Sequence, residues 1–197
     1  HAPSLIAVFL SATATKAAIY LLARFVFTVF DPAAEFTHAF LFWILAPLAG
    51  AAAIVCSIQA VFEPELRRML AFSSVAQVGY MLMGLSLASL AGLSAGLMHL
   101  TAHATMKAAL FMALGGLAMS IRARTLADFA GAGRDAPWTM AAFAIAAASL
   151  MGLPLTFGFL TKFRLIEAAF SASQIWMVAV IAVSSLLGLI YVGRMLE

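Results

Sequence analysis

The stretch from Leu93 to Ser120 reads LSAGLMHLTAHATMKAALFMALGGLAMS. A helix needs roughly 20 mostly apolar residues to cross about 30 Å of hydrocarbon, and this run exceeds that length. Its only titratable residues are His99, His103 and Lys107. Steps of four residues keep all three on one face of an α-helix, turning by about 40° per step and spanning about 12 Å along the axis. The reading is a membrane-spanning helix that carries a polar stripe.

Five further runs qualify on either side: Leu5 to Val26, Ala39 to Val61, Met69 to Leu90, Pro137 to Phe170 and Trp176 to Gly193. With 65% hydrophobic and 10% charged residues over 197 positions, the chain is too apolar for a water-soluble domain. Ala, Leu, Met and Phe run continuously, without the strict alternation of barrel strands. The fold class expected is all-α, a polytopic transmembrane bundle of about six spans that forms a single domain over residues 1–197.

The fifth run is too long for one straight crossing. It contains Gly152-Leu153-Pro154, then Thr156 and Gly158, and reads as a helix broken near Pro154. Interrupted helices at membrane depth survive where they line protein interior or a wet cavity, as at transporter ion sites. A plain proline kink in a packed bundle is the competing reading.

The net charge of +3 and pI near 9.4 do not point to nucleic acid, because no segment carries a clustered basic face. They report topology instead. Arg67 and Arg68, then Arg122, Arg124 and Arg134, and finally Arg194 fall on one side of six crossings, with Arg24 and Arg164 on the other. The positive-inside rule makes the arginine-rich side cytoplasmic, together with both ends of the chain. The chain is expected to be multi-pass, and its placement in a bacterial inner membrane is an expectation that goes with the family resemblance given below. The single cysteine, Cys56, excludes a disulfide framework or a cysteine metal site. His1-Ala2-Pro3-Ser4 lacks an initiator Met and a signal-peptide pattern, which predicts that the sequence begins inside a longer polypeptide.

The chemistry concentrates in the lysines. All arginines lie at span ends or in loops, whereas Lys16, Lys107 and Lys162 lie within apolar runs. An ionised lysine at mid-membrane costs roughly 2.5 to 3.5 kcal/mol on insertion scales. Lysine releases its proton under desolvation and arginine does not, so buried lysines suit a proton relay. Snorkelling of the amine to the interface is the rival reading, strongest for Lys162 near the end of its run.

Histidine accepts a proton at one ring nitrogen while it donates from the other. With intervening water, His99, His103 and Lys107 form a candidate pathway. A metal site is disfavoured, because Leu100 stands where a zincin-type HExxH motif needs its glutamate and no third ligand is evident. Nothing in the sequence calls for a cofactor. Among the acidic residues only Glu167 lies within a span, where it pairs with Arg164, tunes Lys162 or marks the interface.

Four blocks in a fixed order carry a resemblance. They are Ala2-Pro3-Ser4 leading to Ala14–Tyr20 (ATKAAIY), Leu66–Tyr80 (LRRMLAFSSVAQVGY), His99–Lys107 (HLTAHATMK) and Gly152–Phe163 (GLPLTFGFLTKF). The chain resembles the antiporter-like membrane subunits of respiratory complex I, membrane hydrogenases and Mrp-type sodium/proton antiporters. Pro137–Phe143 (PWTMAAF), Ser184–Leu187 (SSLL) and Tyr191–Arg194 (YVGR) look most like the D subunits of Mrp antiporters.

The resemblance implies half of an inverted-repeat subunit, the eighth through thirteenth of fourteen helices. It maps a row of ionisable groups onto Lys16, His99, His103, Lys107 and Lys162. Lys16 would link two half-channels, the stripe would carry protons onward, and Lys162 would serve the outlet. A further lysine and its glutamate would lie upstream of His1, so this stretch would not translocate ions alone. Implied partners are other integral membrane subunits, the lipid bilayer, H+ and Na+, and the implied role is an ion-transporting subunit rather than an enzyme. The alternatives are a proton-pumping subunit of complex I or a hydrogenase, and an inert scaffold of the same fold.

Overall fold

Apolar runs without turn residues leave the backbone to bond within its own segment, which favours helices. The computed structural model describes residues 13–121 and 131–196, and all regular structure among them is helical. Helix α1, Thr15–Arg24, continues through a π-helical turn, Phe25–Val29. Helix α2 is continuous over Glu35–Phe62, with a π-helical stretch at Phe40–Leu45. Pro47 explains that stretch. It has no N–H to donate and crowds the carbonyl of Trp43, and a widened turn accommodates both.

Next come α3 (Leu66–Ser86), α4 (Leu90–Ile121), the single turn α5 (Ala132–Asp135) and α6 (Pro137–Met151). The last two are α7 (Phe157–Ser171) and α8 (Ile175–Leu196). Among the described residues α2, α3 and α8 are long and apolar enough to cross a membrane, and α6 is a shorter apolar helix. Helix limits differ from the sequence expectation by up to four residues: α2 begins at Glu35 rather than Ala39, and α3 ends at Ser86 rather than Leu90. The turn that follows α3 places Ala88 at φ +49, and no helix continues through that conformation. The expected beginning of the first run, the block Ala2-Pro3-Ser4 and the loop residues Arg122, Arg124 and Asp128 lie outside the described residues.

The run 137–170 forms two helices. Gly152 takes φ +92, and the N–H groups of Gly152 and Leu153 both bond the carbonyl of Ala148, which closes α6. After Pro154 and the left-handed Leu155, Thr156 restarts the chain as α7 by accepting at Oγ1 from Phe159 N–H at 3.3 Å.

Helix α4 runs through the interior, packed against α1, α3, α6 and α7. Helix α2 lies along α3, and α8 folds back on α2. Small residues permit the α2–α3 approach: a Cβ on Gly79 would stand 2.5 Å from the carbonyl oxygen of Ala49. The turns near His38, Leu87 and Gln174 gather at one end around a pocket of about 210 Å³. At the other end Arg194 donates to the carbonyl of Val61. Trp43, Trp138 and Leu155 project outward, giving the bundle the apolar exterior that a lipid solvent requires.

Candidate functional site

The central position of α4 decides the site, because it buries the stripe among neighbouring helices. His99, His103 and Lys107 are each 0% exposed, and Lys16 and Lys162 are each 6% exposed. Among the described residues no aspartate or glutamate is buried beside them. Buried ammonium groups without carboxylates must be held by dipoles, and the local contacts supply these.

Lys107 donates to the carbonyl of Leu70 at 2.6 Å and to Ser73 Oγ at 2.5 Å, both on α3. The Leu70 carbonyl also accepts from the hydroxyls of Ser73 and Ser74. The amine lies 6.0 Å from the centre of the Phe111 ring. Phe111 belongs to a buried apolar cluster with Leu70, Met106, Leu110 and Phe143.

One turn away, the rings of His103 and His99 lie parallel, 6.5 Å between centroids and 6° between planes. Neither nitrogen of His103 meets a protein partner among the described residues. His99 is fully engaged: Nδ1 lies 2.9 Å from Thr161 Oγ1 on α7, and Nε2 lies 2.9 Å from Gln77 Oε1 on α3. The Tyr80 ring meets His99 edge-to-face at 5.5 Å.

Lys162 completes the row from the broken helix. Its amine donates to the carbonyls of Met151 at 2.8 Å and Leu150 at 3.2 Å, the last turn of α6. A helix C-terminus carries partial negative charge, so the break builds a cation seat at this point. The face of Tyr80 lies 5.4 Å from the same amine, which makes Tyr80 the wall shared by His99 and Lys162. Gly152 and Gly158 permit this geometry. A Cβ on Gly152 would stand 3.2 Å from the Lys162 side chain, and one on Gly158 would stand 1.7 Å from the carbonyl oxygen of Ser149. Pro154 lies in the connection between them, and its side of the break faces outward.

Lys16, on α1, borders a pocket of about 250 Å³ with Ser74, Val75 and Val78, and Ser74 adjoins Ser73, the partner of Lys107. The five sequence-predicted groups therefore lie in one buried region. Glu167 stands apart. It is half-exposed and paired with Arg164 at 3.0 Å, the first of the three roles open to it in the sequence. Among the described residues no three His, Cys, Asp or Glu side chains converge as metal ligands.

Sequence reasoning missed Ser73, Gln77, Tyr80 and Thr161. A glutamine amid the apolar middle of α3 was the available signal, because a buried amide needs partners. Its partner on another helix was not legible.

A family model described as the transmembrane family of NADH:quinone oxidoreductase and Mrp antiporters matches residues 1–188. A relative from Desulforudis audaxviator, named as the N subunit of an NADH-quinone oxidoreductase, is 37% identical over 100% of this chain and 39% of its own length. The D subunit of a Na+/H+ antiporter from Alkalihalophilus pseudofirmus is 31% identical over 92% of this chain and 36% of its own. Among solved structures, a chain of the Mrp complex from Dietzia aligns with a TM-score of 0.87 at 32% identity, covering 98% of this chain and 35% of that one. A chain of an archaeal membrane-bound sulfane sulfur reductase, a respiratory membrane complex, aligns at 0.91 and 31% identity, covering 99% of this chain and 39% of that one. The chain spans about two-fifths of the length of these relatives.

Proposed function

We propose a function from one premise: the chain belongs to the transmembrane family of NADH:quinone oxidoreductase and Mrp antiporters. The whole protein is a proton-translocating subunit of a multisubunit Na+/H+ antiporter in a bacterial inner membrane. It works beside other integral membrane subunits and moves ions without a redox centre of its own. The second reading, a proton-pumping subunit of an NADH-quinone oxidoreductase, has its own support in the Desulforudis relative. Neighbouring genes separate the two, since iron–sulfur partners favour the redox machine. In both readings α1, α4 and the broken pair α6–α7 complete six crossings with α2, α3 and α8.

One observation carries the reading: Lys107, His103, His99 and Lys162 form a buried row with no buried carboxylate among the described residues. Two unit charges 6.5 Å apart, the separation of the histidine rings, repel by about 2.5 kcal/mol at an effective dielectric near 20. A row without fixed counter-charge therefore favours one mobile proton at a time. Lys107 and Lys162 hold it at their carbonyl seats, and the histidines pass it between them. His103 meets no protein acceptor or donor among the described residues, so its links in the row are water molecules. Lys16, buried on α1 and bordering the same pocket as Ser74, stands at the Lys107 end of the stripe.

The reading is tested by His103→Phe in the assembled full-length complex. Phenylalanine keeps a planar ring, of larger volume, and removes both nitrogens, which gave the fold no hydrogen bond among the described residues. Proton flux into vesicles is expected to fall at least tenfold while assembly stays normal. Wild-type flux would remove His103 from the pathway.

A further inference from the structure

His99 occupies an unusual position in the row, because both of its ring nitrogens face oxygens. Thr161 Oγ1 donates its single proton to the carbonyl of Gly158 at 3.0 Å. That leaves the hydroxyl only a lone pair for Nδ1 of His99, so Nδ1 carries a hydrogen. On the other side Nε2 faces Gln77 Oε1, which accepts only, so in this orientation of the amide Nε2 carries a hydrogen too. Two N–H groups on one imidazole make an imidazolium. The contacts around His99 thus form an acceptor clamp that fits its charged state.

The neutral ring needs one change. With Nδ1–H still donated to Thr161, bare Nε2 requires a donor, and a half-turn of the Gln77 amide presents its NH2 group at the same place. Both nitrogens of His99 keep a partner in either state. Gln77 is 1% exposed, so bulk water does not compete for its amide.

We infer that Gln77 is a positioning residue of the relay, an amide switch that offers oxygen to charged His99 and nitrogen to neutral His99. The proton that charges His99 adds to Nε2 and leaves from the same ring, so Gln77 itself neither gains nor loses one. The titratable or charged groups that face His99 are His103 on its own helix, Tyr80 on α3 and Lys162 on α7. None of these replaces the switch, since the contacts at both nitrogens belong to Gln77 and Thr161. The inference rests on the relay reading and adds a requirement to it.

Two variants of the full-length complex in proteoliposomes test it. Gln77→Leu removes both faces of the switch. Proton flux is expected to fall about tenfold, the loss of one hydrogen bond to a charged group, and to fall most at high pH, where His99 is then hardest to charge, so that the pH optimum moves down. Gln77→Glu keeps the shape but offers oxygen only, so it holds His99 charged. Its flux is expected to drop and its pH optimum to move to higher pH. Either variant assembled, with wild-type flux and an unmoved pH profile, overturns the inference. If Gln77→Leu does not assemble, the isosteric Gln77→Glu decides alone. Loss of flux in a Lys107 variant with unmoved Gln77 profiles overturns the switch and leaves the relay standing. Full flux in the Lys107 variant overturns the relay itself.

Discussion

Replacing Lys107 by Met in the full-length complex is expected to lower proton translocation about a hundredfold or more, while the complex still assembles. The size follows from removing a group that must take and release a proton, where positioned acid–base groups supply roughly 10²- to 10⁴-fold. Assembly should survive for reasons visible at the site. The Leu70 carbonyl that loses the amine still accepts from the hydroxyls of Ser73 and Ser74. Methionine, an unbranched side chain of similar length, fills the buried space of Lys107, and exchanging a buried charge for an apolar side chain is often neutral or stabilising. A truncation to Ala would confound the two effects by opening a cavity. Flux measured with a pH-sensitive dye in proteoliposomes, beside the yield of intact complex, checks both halves.

Gly158→Ala is expected to have the opposite profile, a structural failure with no titratable group touched. A Cβ at this position would stand 1.7 Å from the carbonyl oxygen of Ser149, a backbone atom that cannot swing aside. Gly158 N–H also donates to Ser149 Oγ at 3.1 Å, so the start of α7 is pinned against the end of α6. Forcing them apart withdraws the Leu150 and Met151 carbonyls from Lys162. The cost is about 3 kcal/mol or more, in the upper range for single substitutions. Thermal denaturation of the complex should show a clear fall in Tm, and an unchanged Tm would contradict the packing described for the break.

Much of this arrangement was legible in the sequence, for a physical reason. Lysine and histidine in an apolar run violate the bilayer's demand for apolar side chains, so the violation marks the site. The i, i+4 spacing of His99, His103 and Lys107 fixes a common face wherever the helix is packed. The break was also readable, because glycine and proline act on their own backbone. Partners on other helices were not. Ser73, Gln77 and Thr161 carry no formal charge, and each becomes functional only through which helix lies opposite. The π-helical stretch before Pro47 escaped for a related reason, since a proline near the middle of an apolar run reads equally as a kink. Glu167, the one acidic residue that the sequence reading put within a span, drew attention for its charge, yet it sits half-exposed on α7 with Arg164.

The most direct test of the relay is the proton flux of Lys107→Arg in the full-length complex, reconstituted and driven by an imposed ion gradient. Arginine keeps the positive charge and can still donate to the carbonyl of Leu70 and to Ser73, but it does not release a proton. A buried lysine that works only as a fixed charge is replaced by it, whereas one that passes protons is not. The relay predicts an assembled complex with flux at least tenfold below wild type at every pH. Wild-type flux in that complex would contradict it.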